Sequence, residues 1–242
     1  MKNIGMRAKR NPWRNTRNDY NMPWNDIFAA IFMAILPLIV VIFASNIIIR
    51  GTFFYSFYFT RTDVVKEIPY EIKKDQLIEN FGKYMQHRKS DFQIKENSKY
   101  KPQNVFTDRG ISIMENIRTI FDVSLAIGIS LAVVALVIVI YLYRQKEKRL
   151  IYESFTNSVI WFSVICAIYG GALLITPIRK LIFRILYGVR FEPGDVLIQI
   201  FKTHLPSYYA IMTLILAVMM MIVIWYLMNK FVSYKKMFNK SL

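Results

Sequence analysis

Among 242 residues the chain carries two histidines and one cysteine, and these three side chains bound the polar chemistry open to it. Imidazole titrates nearest neutrality, so a histidine is the first candidate for acid–base work. His87 stands in the polar run Gln86-His-Arg-Lys-Ser90, where a solvated loop histidine is the plain reading. His204 precedes Leu205-Pro206, close to basic residues, and is the fallback candidate for a base. Cys166 sits in an uncharged apolar stretch, so neither a disulfide framework nor a thiolate metal site is available and packing is its expected role. No metal-ligand spacing, phosphate-binding glycine loop or nucleophile elbow occurs, and no metal or cofactor is expected. The remaining chemical feature is a cluster of cations, Arg179, Lys180, Arg184 and Arg190, facing only Glu192 and Asp195 nearby. Such a cluster suits an anionic lipid head group, or simply snorkels beside lipid phosphates.

What positions these groups follows from hydropathy. With 55% hydrophobic residues, 15% aromatic residues and a mean hydropathy of +0.30, the chain is too apolar for an ordinary soluble domain. A bilayer core about 30 Å thick needs roughly 20 helical residues. Four stretches without a charge meet that length: residues 27–49, 123–143, 158–175 and 208–228. The first is too long for a secretory leader's apolar core and reads as a retained anchor. The expected fold class is therefore all-α and integral to the membrane, with four transmembrane helices. An extracytoplasmic helical domain lies between the first two, and an interfacial amphipathic helix between the last two.

The formal charge of +16 raises the question of nucleic acid, and its distribution answers it. Lys2, Arg7, Lys9, Arg10, Arg14 and Arg17 precede the first span; Arg144, Lys146, Lys148 and Arg149 join the second to the third; Lys230, Lys235, Lys236 and Lys240 follow the fourth. These segments share one side of a four-span chain, and short basic segments stay in the cytoplasm. Residues 1–26, 144–157 and 229–242 are thus expected in the cytoplasm, and residues 50–122 and 176–207 outside. Attraction to anionic lipid accounts for the charge, and no nucleic-acid partner is expected.

Between Gly51 and Arg118 twelve basic and nine acidic residues alternate with many aromatics, the composition of a folded unit rather than a tail. The run from Gly51 to Phe59 is expected to anchor at the membrane interface through its rings. Ile72, Leu77, Ile78, Phe81 and Met85 recur at helical spacing and predict an amphipathic helix. A second outer helix, 111–121, has only Asp122 before it enters the second span. Thr176-Pro177 supplies a cap and a first-turn proline for an interfacial helix over 176–187, and a loop through Pro193-Gly194-Asp195 returns to the fourth span.

This order of parts resembles the bacterial lipoprotein intramolecular transacylases, the Lit family. Residues 75–85 are similar to that family's outer helix. Gly110, Ile111, Met114, Ile117, Arg118, Ile120 and Phe121 fit its second motif, with Ile113 in the place of a histidine. Phe183-Arg184 stands where the family has phenylalanine-histidine, and Pro193 and Asp195 match its following loop. The resemblance implies a scaffold for moving an acyl chain from the glyceryl group of a lipoprotein's N-terminal cysteine to its amino nitrogen. In the family the two histidines carry the acid–base chemistry; isoleucine cannot move a proton and arginine stays charged. The expectation is a catalytically degenerate relative in a bacterial cytoplasmic membrane, binding a membrane lipid, a lipoprotein or another membrane protein, with Arg179, Lys180, Arg184 and Arg190 at the head group. The alternatives are an active acyl-transfer enzyme with a rearranged site, in which His204 or His87 serves as base and Arg184 or Arg190 holds the acyl oxyanion, and a structural subunit of a membrane complex.

Overall fold

The computed structural model describes residues 24–62, 64–96, 103–178, 181, 196–202 and 204–232, and these are built from helices, with a single isolated β-bridge between Lys95 and Asn104. Helix α1 is Trp24–Arg50, α2 Thr52–Arg61, α3 Val64–Glu67, α4 Lys74–Met85, α5 Asp108–Arg144, α6 Lys148–Leu174, α7 Val196–Lys202 and α8 Leu205–Phe231. Four of them, α1, α5, α6 and α8, are long and apolar enough to cross a bilayer. Each begins before the uncharged stretch that marks it in the sequence, and all but α6, which stops at Leu174, also end beyond it. The chain needs only Gln145 to Glu147 to turn from α5 into α6, with Lys146 in the left-handed conformation at φ 61°.

Helix α1 is the centre of the bundle and packs against α5, α6 and α8. In its most apolar window 44% of residues are buried, against 17% in each of the other three, so α1 is sheathed by protein while they face outward. Their exposed side chains are apolar: Val133, Leu136 and Val137 on α5, Ile160 and Ile168 on α6, Ile215, Ile222 and Val223 on α8. A surface of this kind is compatible with lipid and not with water. The chain is a multi-pass membrane protein. Two glycines let its helices close up: a Cβ on Gly128 would fall 2.7 Å from Ile42 Cγ2 in α1, and one on Gly170 would fall 3.3 Å from Leu214 Cδ1 in α8.

One end of the bundle carries a head. Its core joins α2, α4, the first turns of α5, α7 and the start of α8 around Phe54, Tyr58, Phe81, Phe92, Phe106 and Met114. The aromatic run after α1, expected at the interface, folds as α2. Phe54, Tyr55, Tyr58 and Phe59 are buried in the head, and only Phe53 and Phe57 stay exposed. The reason is the partner: α4 offers Leu77, Phe81 and Tyr84 as a matching apolar face, so the rings gain more by stacking on it than on a surface. Part of the expected return loop is also helical, since α7 sinks Val196, Leu197 and Ile200 into the same core. The Tyr58 hydroxyl donates to the Ile200 carbonyl at 3.0 Å and fixes it there.

Helix α5 is unbroken from the head through the membrane, about 55 Å at ~1.5 Å per residue. Thr107 starts it, its Oγ1 accepting from the Gly110 amide at 3.0 Å. Asp122, which lies before the uncharged stretch in sequence, is therefore held mid-helix at the level where the head meets the bundle.

Candidate functional site

Three charged or titratable side chains converge at that level, one from each of three elements. Arg50 is the last residue of α1, Asp122 lies on α5, and His87 follows α4. Arg50 Nη2 donates to Asp122 Oδ1 at 2.6 Å, and His87 Nε2 lies 2.9 Å from the same oxygen. An ionised carboxylate can only accept, so Nε2 carries the hydrogen of this contact.

Each member is held by a second set of bonds. Arg50 Nη1 donates to the Met85 carbonyl at 2.9 Å, and Gln86 Nε2 donates back to the Arg50 carbonyl at 2.7 Å, so the ends of α1 and α4 are laced together. Arg50 Nε donates to Asn46 Oδ1 at 3.3 Å, and buried Asn46 donates through Nδ2 to Ser124 Oγ at 3.0 Å. The backbone at His87 is fixed as well. Its amide bonds to the Tyr84 carbonyl and the Arg88 amide to the Lys83 carbonyl, which closes α4 in a Schellman turn with His87 at φ 58°, a place glycine usually fills.

The electrostatics follow from the geometry. Partial burial opposes ionisation of Asp122, but the hydrogen bonds from Arg50 and His87 outweigh it and hold the carboxyl below its ordinary range. Arg50 is mostly covered, with 18% of its side chain exposed, whereas His87 is open at 48%. The centre thus has a covered ion pair behind and an accessible imidazole in front. Chemically this is a carboxylate-oriented histidine, able to take and return a proton. Beside it, an open groove of about 540 Å³ runs between α2 and α4, and the chain neighbours of His87, Gln86 and Arg88, line it together with Phe53, Ser56 and Glu79.

A second polar group lies deeper. Ser45 on α1 and Tyr209 on α8 share a hydrogen bond between their hydroxyls, with Tyr169 on α6 and Thr213 on α8 gathered at the same level. Asn46, Ser45 and Thr213 are buried, as expected of polar residues that glue helices in lipid.

The positions singled out in the sequence fare differently. Ile113 is 7% exposed and packs with Met114 and Ile117 in the head core. His204 is exposed in the turn before α8, and its ring makes no hydrogen bond to the described residues. Arg179, Lys180, Arg184 and Arg190 lie outside the described residues, so their meeting with Ile113 does too. No group of three or more metal-ligating side chains occurs among the described residues. Arg50 and Asp122 were missed. Their signal was present as two opposite charges abutting uncharged spans at the same end of a four-span chain, which makes them partners once the spans pack.

Comparison with known proteins agrees with this architecture. No curated protein matches the chain. Among solved structures, the membrane-integral lipoprotein intramolecular transacylase Lit of Bacillus cereus, in variants with one histidine replaced by arginine or by alanine, superposes with a TM-score of 0.65 in each case. Both share 13% sequence identity with this chain and cover 86% of it, with 91% and 94% of their own lengths matched. A third structure of the same enzyme gives a TM-score of 0.59. The family model for lipoprotein intramolecular transacylase Lit matches residues 30–176, more than half of the sequence, from within α1 to just past the end of α6; by that match the chain belongs to the Lit family.

Proposed function

We propose that this Lit-family protein holds a lipid or a lipid-anchored protein at the outer leaflet of a bacterial cytoplasmic membrane, with both chain ends in the cytoplasm and the head outside. In this reading neither position of the family histidines does acid–base work. The observation that supports it is the burial of Ile113 at 7% exposure among Met114 and Ile117: an apolar side chain packed in a core leaves no proton carrier there. Arg184, at the other position, is a permanent cation and fits an anionic head group with Arg179, Lys180 and Arg190. The orientation is supported by the basic residues gathered at the end of the bundle away from the head, including Arg144, Lys148 and Lys230.

The test is binding in lipid nanodiscs. A synthetic diacylglyceryl lipopeptide binds and the same peptide without its lipid does not; equal binding of the two, or none by either, overturns the reading. Acyl transfer from a rearranged site is favoured by one observation, the ionised carboxylate set against His87.

A further inference from the structure

We propose that the groove between α2 and α4 is a head-group site for an amine-bearing phospholipid, one with a phosphate and, beyond it, a primary ammonium, as in phosphatidylethanolamine. This ligand is additional to the lipid-anchored one above, and its binding does not depend on it. The groove opens at the edge of the bilayer. The uncharged stretch of α1 ends at Arg50 and that of α5 begins after Asp122, and these two charges pair at 2.6 Å, so the hydrocarbon ends just below them. Gln86, in the wall of the groove, donates through Nε2 to the Arg50 carbonyl at 2.7 Å and to Thr52 Oγ1 at 3.3 Å, which ties that end of the groove to the same level.

An apolar step stands at that opening. Phe53 lines the groove and is 53% exposed, and Ile47, on the last turn of α1, is 48% exposed. A Cβ on Gly51 would strike the Phe53 ring and lie 3.0 Å from the Ile47 carbonyl, so the glycine is what lets the ring rest against the end of α1. An acyl chain lying along these side chains brings its own glycerol and phosphate to the mouth of the groove. A soluble solute would gain nothing from them.

Charge is ordered along the groove. Asp75, Glu79 and Lys83 stand four residues apart, so they share one face of α4 at steps of about 6 Å, and Arg88 follows the end of that helix. The cations Lys83 and Arg88 therefore lie at the bilayer end, and the carboxylates Glu79 and Asp75 lie farther along. Glu79 and Lys83 pair with each other, whereas the side chains of Arg88 and Asp75 make no hydrogen bond or ion pair with the described residues. In a phospholipid the phosphate adjoins the glycerol and is the charge nearest the hydrocarbon; an ethanolamine carries its ammonium two carbons beyond. The phosphate thus meets Lys83 and Arg88, and the ammonium meets Glu79, with Asp75 adding attraction from behind. A glycerol head offers the carboxylates no cation, and a choline ammonium has no N–H to donate. The order of charges selects the primary amine.

The experiment takes the full chain in a neutral detergent, adds phosphatidylethanolamine, phosphatidylglycerol or phosphatidylcholine of matched acyl chains, and reads the one-to-one complexes by native mass spectrometry. Wild type is expected to hold phosphatidylethanolamine about 10-fold more tightly than the other two, the worth of one hydrogen bond between charged groups. Glu79→Gln should bring phosphatidylethanolamine down to the level of phosphatidylcholine, and Arg88→Gln should weaken both alike through their shared phosphate. Glu79→Lys should turn the preference to phosphatidylglycerol, a gain that a damaged fold could not produce. Equal retention of the three lipids by wild type, or a preference for phosphatidylethanolamine that survives Glu79→Gln, overturns the site and leaves the lipopeptide reading standing.

Discussion

Among the described residues, two other than glycine hold the left-handed conformation, His87 at φ 58° and Lys146 at φ 61°, each closing a helix. At Lys146 the ammonium makes no hydrogen bond or ion pair with the described residues to offset the strain, so Lys146→Gly is expected to raise stability by about 0.5–1 kcal/mol, read as a higher unfolding midpoint in detergent. At His87 the same change also removes the contact to Asp122, and the two effects offset. The midpoint of His87→Gly should therefore lie below that of Lys146→Gly. Asp122 adds a pH dependence whose sign is fixed. Its carboxyl is held below its ordinary value in the fold, so its contribution is present above the unfolded value of about 3.9 and fades as pH falls through the lower, folded one. Thermal scans from pH 6 to 3 should show the midpoint falling more steeply in wild type than in Asp122→Asn. A parallel fall in both would show that Arg50 and His87 do not hold the carboxylate.

At the scale of elements, the molecule depends on how close α1 and α5 come. The Gly128 Cα faces Ile42 with no room for a larger side chain, and Gly128→Leu should cost about 1–3 kcal/mol by wedging the two helices apart. The same wedge would lengthen the bridge from Arg50 to Asp122, because the bridge spans those two helices. Loss of stability without a change in the Asp122 pH response would sink that link. The start of α5 offers a milder probe. Thr107→Ala removes the cap on the Gly110 amide and should lower stability by about 1 kcal/mol, leaving the membrane part of α5 intact. Hydrogen exchange confined to the first turns of α5 would report it.

For the whole molecule the central claim is sidedness, and the chain is well suited to test it. Cys166 is its one cysteine, so a Cys166→Ser background carries single reporters without interference. A cysteine placed at Ser90 in the head should react with a membrane-impermeant maleimide added to intact cells, and one placed at Lys146 only after the membrane is opened. The reverse pattern would overturn the placement of the head and, with it, the site at the outer leaflet.

Four spans, the charge bias of their flanks and the kinship to the transacylases are written in the sequence, because long uncharged stretches and basic segments are local properties that no packing can undo. The amphipathic face of α4 was equally legible, since Leu77, Ile78, Phe81 and Met85 recur at helical spacing within one short segment. Whether a face of rings meets lipid or protein is not a local property, and α2 reads as an interfacial anchor until α4 is laid against it. The site belongs to the same class. Arg50, His87 and Asp122 are 35 or more residues apart, and nothing in the spacing pairs them. They meet because α1 ends, α4 turns and α5 passes at one level, and only a packed fold brings three separate backbones to a single carboxylate oxygen.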